Sequence, residues 1–216
     1  MRSRKKIVVF CLAILFLVNC SKSIGSDDNS EASKVKIERH FVFDTVPMNL
    51  EEIAKVSDRI FAGKCTKIEE FENDKESDLP IVKYTFSISE GMKGVNNKNE
   101  IVFKQWQPTV KNGGYELNKK YVLFLHQDSD IGLTSPVGFS QGQFHIKKKG
   151  LILGKDVVIN GLNNHGLAKN LKSQIAISIE DNRFINDYLS RCSELGIPIR
   201  YQEFVKAVKY LVEKNR

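Results

Sequence analysis

The sequence predicts a mainly β, α+β fold, with a short helix ahead of the strands and two helices after them. Three observations carry this expectation. Apolar and polar residues alternate over 81–89, an almost wholly apolar strand follows at 120–126, and the spacing becomes helical near residue 50 and again after 182. A period of two belongs to strands with one buried face, and a period near 3.6 to helices with one buried stripe.

The chain opens on a basic head, Arg2, Arg4, Lys5 and Lys6, followed by an uncharged apolar run from Ile7 to Val18. A helix needs about 20 apolar residues to cross roughly 30 Å of hydrocarbon, so a run of about a dozen reads as the core of an export signal. The run ends in Leu17-Val18-Asn19-Cys20. This resembles the lipobox of bacterial lipoprotein precursors, in which an aliphatic residue stands three places before a cysteine that becomes lipidated. Asn19 departs from the Gly, Ala or Ser usual before that cysteine and is similar to looser versions of the box. The resemblance implies cleavage ahead of Cys20 and lipid on Cys20. It also implies attachment to a bacterial membrane, the outer ahead of the inner, with the domain facing the periplasm or the cell surface. The alternatives are a signal cleaved after Ser23-Ile24-Gly25 and an uncleaved amphiphilic anchor.

Loss of residues 1–19 takes the net charge from +7 to +3, because four basic residues and no acidic one leave. A mature chain of mixed charge carries no electrostatic signature of nucleic-acid binding. Residues 21–36 are rich in Ser, Asp, Asn and Lys and lack periodicity, which predicts a flexible tether reaching about 20–25 Å. The expected organisation is a signal peptide (1–19), a lipidated cysteine with its tether (20–36), a β domain (37–160) and a helical extension of the same domain (161–216).

The folded part opens with an extended piece at His40 to Thr45. Asn49 and Glu52 then have the spacing of a capping box, and Leu50, Ile53 and Val56 supply an apolar stripe for a helix over about 50–57. Ile60 to Ile68 reads as a strand, with Gly63 marking a bulge or a close backbone approach. Residues 69–80 are charged and read as a loop. In the strand over 81–89, Val82, Tyr84, Phe86 and Ile88 alternate with Lys83, Thr85, Ser87 and Ser89, and Glu90 to Gly94 reads as a turn. Further strands are expected at Glu100 to Trp106, at Lys120 to His126, central or covered on both faces, at Gln143 to Lys147 and at Asp156 to Ile159. Phe184, Ile185, Tyr188, Leu189 and Cys192 then give a helix between Asn182 and Gly196, and Phe204, Val208, Leu211 and Val212 give another over about 201–213.

Four stretches follow one another in a recognisable order: Ser57-Asp58-Arg59-Ile60-Phe61-Ala62-Gly63-Lys64; Tyr84-Thr85-Phe86-Ser87-Ile88 with Met92-Lys93-Gly94 behind it; Glu100-Ile101-Val102-Phe103; and Tyr121-Val122-Leu123-Phe124-Leu125. Over about residues 48–146 this order resembles the netrin-like, TIMP-like variant of the OB barrel, and it is similar to uncharacterised exported bacterial proteins. The resemblance implies an OB-like small barrel with the helices packed on it. TIMP-type inhibitors hold a protease's zinc through a free amino-terminal cysteine. Cys20 would carry an acylated amine on a tether, so that role passes to no residue of this chain.

Chemistry-bearing patterns are sparse. His40, His126, His145 and His165 sit in no HExxH or CxxC context, and only His126 and His145 could meet, on adjacent strands. There is no G-x-S-x-G, and Gly91, Gly94, Gly113 and Gly114 lack the spacing of a phosphate loop. No catalytic residue, metal or cofactor is expected. Trp106, Tyr115, Lys104 and Lys111 could be drawn as a single-strand nucleic-acid groove, and export argues against it. Lys147-Lys148-Lys149 reads as a solvated hairpin end, or as a patch attracting anionic lipid or glycan. Trp106, within Gln105-Trp106-Gln107-Pro108, is the candidate anchor for a partner. Cys65 and Cys192 could pair in an oxidising compartment, worth about 4–5 kcal/mol in the chain-entropy model, or could lie buried as free thiols, which the helical spacing of Cys192 favours.

The expectation is a non-enzymatic binding domain on a membrane, with an unknown protein or glycan as ligand. One alternative is an enzyme whose cleft gathers two or more of His126, His145, Asp128, Asp130 and Glu100. Another is a structural component of the cell envelope.

Overall fold

The computed structural model describes residues 45–74, 78–95, 97–107, 114–150, 154–171 and 182–215. The expected signal, Cys20, the tether and all but the last residue of the 40–45 piece lie outside them, as does Lys111. The described residues all belong to one unit, His40–Arg216.

Helix α1 (Leu50–Val56) starts at the expected capping box. The Asn49 side chain accepts from the Glu52 backbone N–H at 3.0 Å, and Glu52 Oε2 accepts from the Asn49 N–H at 2.9 Å. The buried stripe is Leu50, Ile53 and Ala54, and Val56 is exposed. At about 100° per residue, position 56 falls off the stripe that 50, 53 and 54 share, so its expected burial is corrected.

The strands are β1 (Arg59–Asn73), β2 (Pro80–Lys93), β3 (Glu100–Trp106), β4 (Lys120–Leu125), β5 (Gln143–Lys148), β6 (Asp156–Asn160) and β7 (Ile199–Arg200). They form one antiparallel sheet of seven strands in the order β3-β2-β1-β4-β5-β6-β7. Helices α2 (Asn182–Leu195) and α3 (Tyr201–Lys214) flank β7 in sequence.

Two expected breaks move. The loop foreseen from 69 begins only at 74, because Glu69 and Glu70 pair with Lys83 and Val82. Glu69 accepts from Lys67 at 2.9 Å and from Lys83 at 3.0 Å, so the charged stretch closes its own ladder. β2 likewise runs through the turn expected at 90–94. Lys93 Nζ donates to the Ala54 and Lys55 carbonyls at 3.1 and 3.2 Å, which ties the strand end to the last turn of α1. The chain turns at Gly94, where φ is +65° and a Cβ would stand 2.2 Å from the Asp58 carbonyl oxygen. At Gly63 a Cβ would meet the Ser87 carbonyl at 2.7 Å, the close approach expected there.

The mainly β, α+β architecture is thus as expected, but the sheet is not closed. β3 and β7 are its two ends in the strand order. The segment after β4 makes isolated bridges to both sides, Leu125 with Pro136 and Lys104 with Leu133.

β1 and β4 are covered on both faces. Ile60, Ala62, Val122 and Phe124 enter one core with α1, α2 and α3, where Phe144 packs on Phe204 at 4.6 Å between ring centroids. Phe61, Cys65, Tyr121, Leu123 and Leu125 enter the other, enclosed with β2, β3 and Tyr115. Alternation along a strand puts these two cores on opposite sides of the sheet.

A buried polar clasp joins distant segments to the helix-covered side. Gln141 Nε2 donates to Thr45 Oγ1 and the Val46 carbonyl, and its Oε1 accepts from Met48 N–H at 2.7 Å. Asn160 Nδ2 donates to the Gln141 carbonyl at 3.2 Å, and Asn164 donates to the Val158 and Ile197 carbonyls at 3.2 and 3.0 Å. Each buried amide finds partners, which removes the cost of taking it out of water.

Candidate functional site

The space between β1–β4 and Tyr115 is filled. Tyr84, Phe86, Phe103, Tyr115 and Tyr121 meet at centroid distances of 4.7–6.0 Å, mostly edge to face. Their hydroxyls are partnered inside: Gln105 Nε2 donates to Tyr115 Oη at 3.4 Å, and Glu116 N–H donates to Tyr121 Oη at 2.9 Å. Burial pushes the Tyr84 and Tyr115 hydroxyls up, so both stay protonated. This is a packed core, and Tyr115 belongs to it rather than to a nucleic-acid groove.

Burial pushes the Cys65 thiol up to about 11, against a weaker opposing contact with the Lys67 carbonyl. Burial also raises Cys192, against Tyr188 and the nearby positive charges of Arg200, Lys149 and Arg191. Both cysteines are free and buried, one in each core, with the sheet between them. Neither has the lowered pKa of an activated thiol.

The five groups considered for a catalytic cleft are spread out. Register sets His145 opposite Tyr121, and His126 lies five residues further along that chain, roughly 17 Å away at strand spacing. The two histidines therefore do not meet. His145 packs against the Tyr121 ring at 4.7 Å, and burial followed by Lys147 lowers its pKa. Arg59 holds Asp128 with both terminal guanidinium nitrogens and donates to the His126 carbonyl at 3.0 Å, while Asp58 accepts from Gln127 N–H at 2.8 Å. These contacts fasten the start of β1 to the end of β4. Glu100 is exposed on β3, and Asp130 is exposed in the segment after β4. Among the described residues, no group of three His, Cys, Asp or Glu side chains could hold a metal ion.

Trp106 ends β3 opposite Ile81 and is 38% exposed, with Val102 exposed on the same outer side of the strand. The three lysines of the basic run do not act together. Lys148 pairs with Asp156, whereas Lys147 and Lys149 project to the other face of the hairpin, which is also the face of Val157 and Arg200.

No protein-family model matches the chain, and no curated protein sequence does.

Proposed function

We propose that the protein is an exported lipoprotein, held on a bacterial membrane by lipid on Cys20, whose folded part is a non-enzymatic binding module. The observation that carries this reading is the basic head and short apolar run that end at Leu17-Val18-Asn19-Cys20. Two acyl chains or more, as such lipoproteins carry, make anchoring stable where one is marginal. The module itself is an OB-like barrel opened at one side. The bridges from the 133–136 segment to Lys104 of β3 and Leu125 of β4 support that description, since they link the edge strand β3 back to the end of β4. Asp58 and Asp128 are fastened in structural contacts, and Cys65 and Cys192 are buried with raised pKa values, which supports binding over catalysis. Trp106 and the basic face of the β5–β6 hairpin are the surfaces offered to a ligand.

Cys20→Ala tests the anchor. In cells fed labelled palmitate, the wild-type chain takes up label and sediments with membranes, and the variant does neither. Equal labelling of the two, or an unlabelled wild-type chain in the aqueous fraction, overturns the reading.

A further inference from the structure

Strand register gathers positive charge that is dispersed in the sequence. β5 and β6 pair Lys147 with Val157, and β6 and β7 pair Val157 with Arg200. Residues opposite one another in an antiparallel ladder point to the same side, and the side repeats every second residue. Lys147, Val157 and Arg200 therefore form one row. Lys149 N–H donates to the Lys155 carbonyl at 3.2 Å, which places this pair two residues further along on the same side. The opposite side, through Phe144, Ile146, Val158 and Ile199, packs into the helix-covered core. Asp156, paired with Lys148, belongs to that opposite alternation and does not join the row.

We propose that the hollow bounded by Lys149, Lys155, Arg200 and Tyr188 is a binding site for a phosphate group. The hollow measures about 530 Å³, enough for a phosphate and part of the molecule that bears it, and Val157 supplies its apolar floor. Three of its lining side chains are cationic and none is a carboxylate. Tyr188 contacts Arg200 twice: the Arg200 backbone N–H donates to Tyr188 Oη at 2.8 Å, and its guanidinium carbon stands 4.7 Å from the Tyr188 ring centroid. A stacked guanidinium is a preoriented fork for two phosphate oxygens, and two lysines beside it add mobile point charges. Convergence of three positive charges suits a phosphate, whose several oxygens can each meet a cation, better than a single carboxylate.

The site gives the binding-module reading a ligand class and rests on it. It does not need the lipid on Cys20, so the palmitate experiment and the following one fail separately. The full chain in neutral detergent is titrated by calorimetry with inorganic phosphate and, in a parallel arm, with glycerophosphoglycerol, the deacylated headgroup of an anionic phospholipid. Binding of glycerophosphoglycerol alone assigns the site to lipid headgroups, and binding of inorganic phosphate assigns it to free phosphate or phosphomonoesters. In either arm K149Q/K155Q weakens binding by about tenfold or more, with an unchanged unfolding midpoint, and R200Q weakens it further. Should R200Q unfold early, the lysine pair, which is exposed and outside both cores, decides alone. No binding of either probe, or equal affinity in the wild type and K149Q/K155Q, overturns the proposal.

Discussion

Asn164→Ala removes the centre of the polar clasp, and its cost can be worked from the contacts. The residue is fully buried. Its Oδ1 accepts from Asn160 N–H at 3.0 Å, and its Nδ2 donates to the Val158 and Ile197 carbonyls at 3.2 and 3.0 Å. Each lost bond costs about 1 kcal/mol net, and a buried partner left behind makes the higher end of the range apply. The backbone adds a further cost, since φ at Asn164 is +61°, a left-handed conformation that asparagine tolerates and alanine adopts at about 1 kcal/mol. The expected loss is about 4 kcal/mol, or about 8–16 °C in unfolding midpoint for a domain of this size. Circular dichroism melts and urea titrations of the wild type, Asn164→Ala and Asn164→Gly measure it. Glycine lacks the three hydrogen bonds but not the backbone freedom, so it should recover about 1 kcal/mol relative to alanine. A loss under about 1 kcal/mol for alanine, or a glycine variant no better than alanine, refutes the reasoning. The Ile197 carbonyl lies two residues before β7, so the clasp also steadies the segment that carries Arg200.

Two further expectations concern titration and thiols. His145 is half-buried against Tyr121 with its pKa lowered, first by burial and then by Lys147. Below its ordinary value of about 6.5 the unfolded imidazole takes up a proton that the folded one resists, so stability contributed by this residue is intact above that pH and is lost as the pH falls from there. Urea midpoints between about pH 7 and pH 5 should fall less steeply for His145→Gln than for the wild type, and parallel slopes contradict the assignment. Cys65 and Cys192 are expected to resist iodoacetamide in the native protein at neutral pH and both to react in urea without a reductant, because both are buried and unbridged with raised pKa values. A non-reducing mass two hydrogens lighter than the free-thiol chain would contradict this.

What could be read in the sequence was what a few neighbouring residues decide. The Asn49–Glu52 box set the start of α1, and alternation over 81–89 placed Tyr84 and Phe86 in the interior, because each signal is complete within a turn or a strand. The ends of β1 and β2 were missed because Glu69 is made strand-like by Lys83, which is remote in sequence, and Lys93 is held by carbonyls of α1. Asn163 and Asn164 both have positive φ, a conformation that asparagine tolerates. Nothing near them announces that Asn164 is buried, since one of its partners is the Ile197 carbonyl, beyond α2.

The basic hollow follows the same rule. Lys147-Lys148-Lys149 looks like one patch only while the hairpin partner is ignored. Pairing with Val157 and Asp156 splits it, and β7, a strand of two residues with no periodicity to detect, brings in Arg200. The spacing of Lys147 and Lys149, two residues apart, with Lys155 beyond Gly150 and Gly154, was the available clue, yet it has force only once the register is known. A membrane address must be read from the extended chain before folding, so contiguous residues suffice for it. The proposed phosphate site acts after folding, and its charges come from the residues just beyond the ends of β5 and β6 and from β7, so it is the strand pairing that determines which of the chain's many lysines lie together.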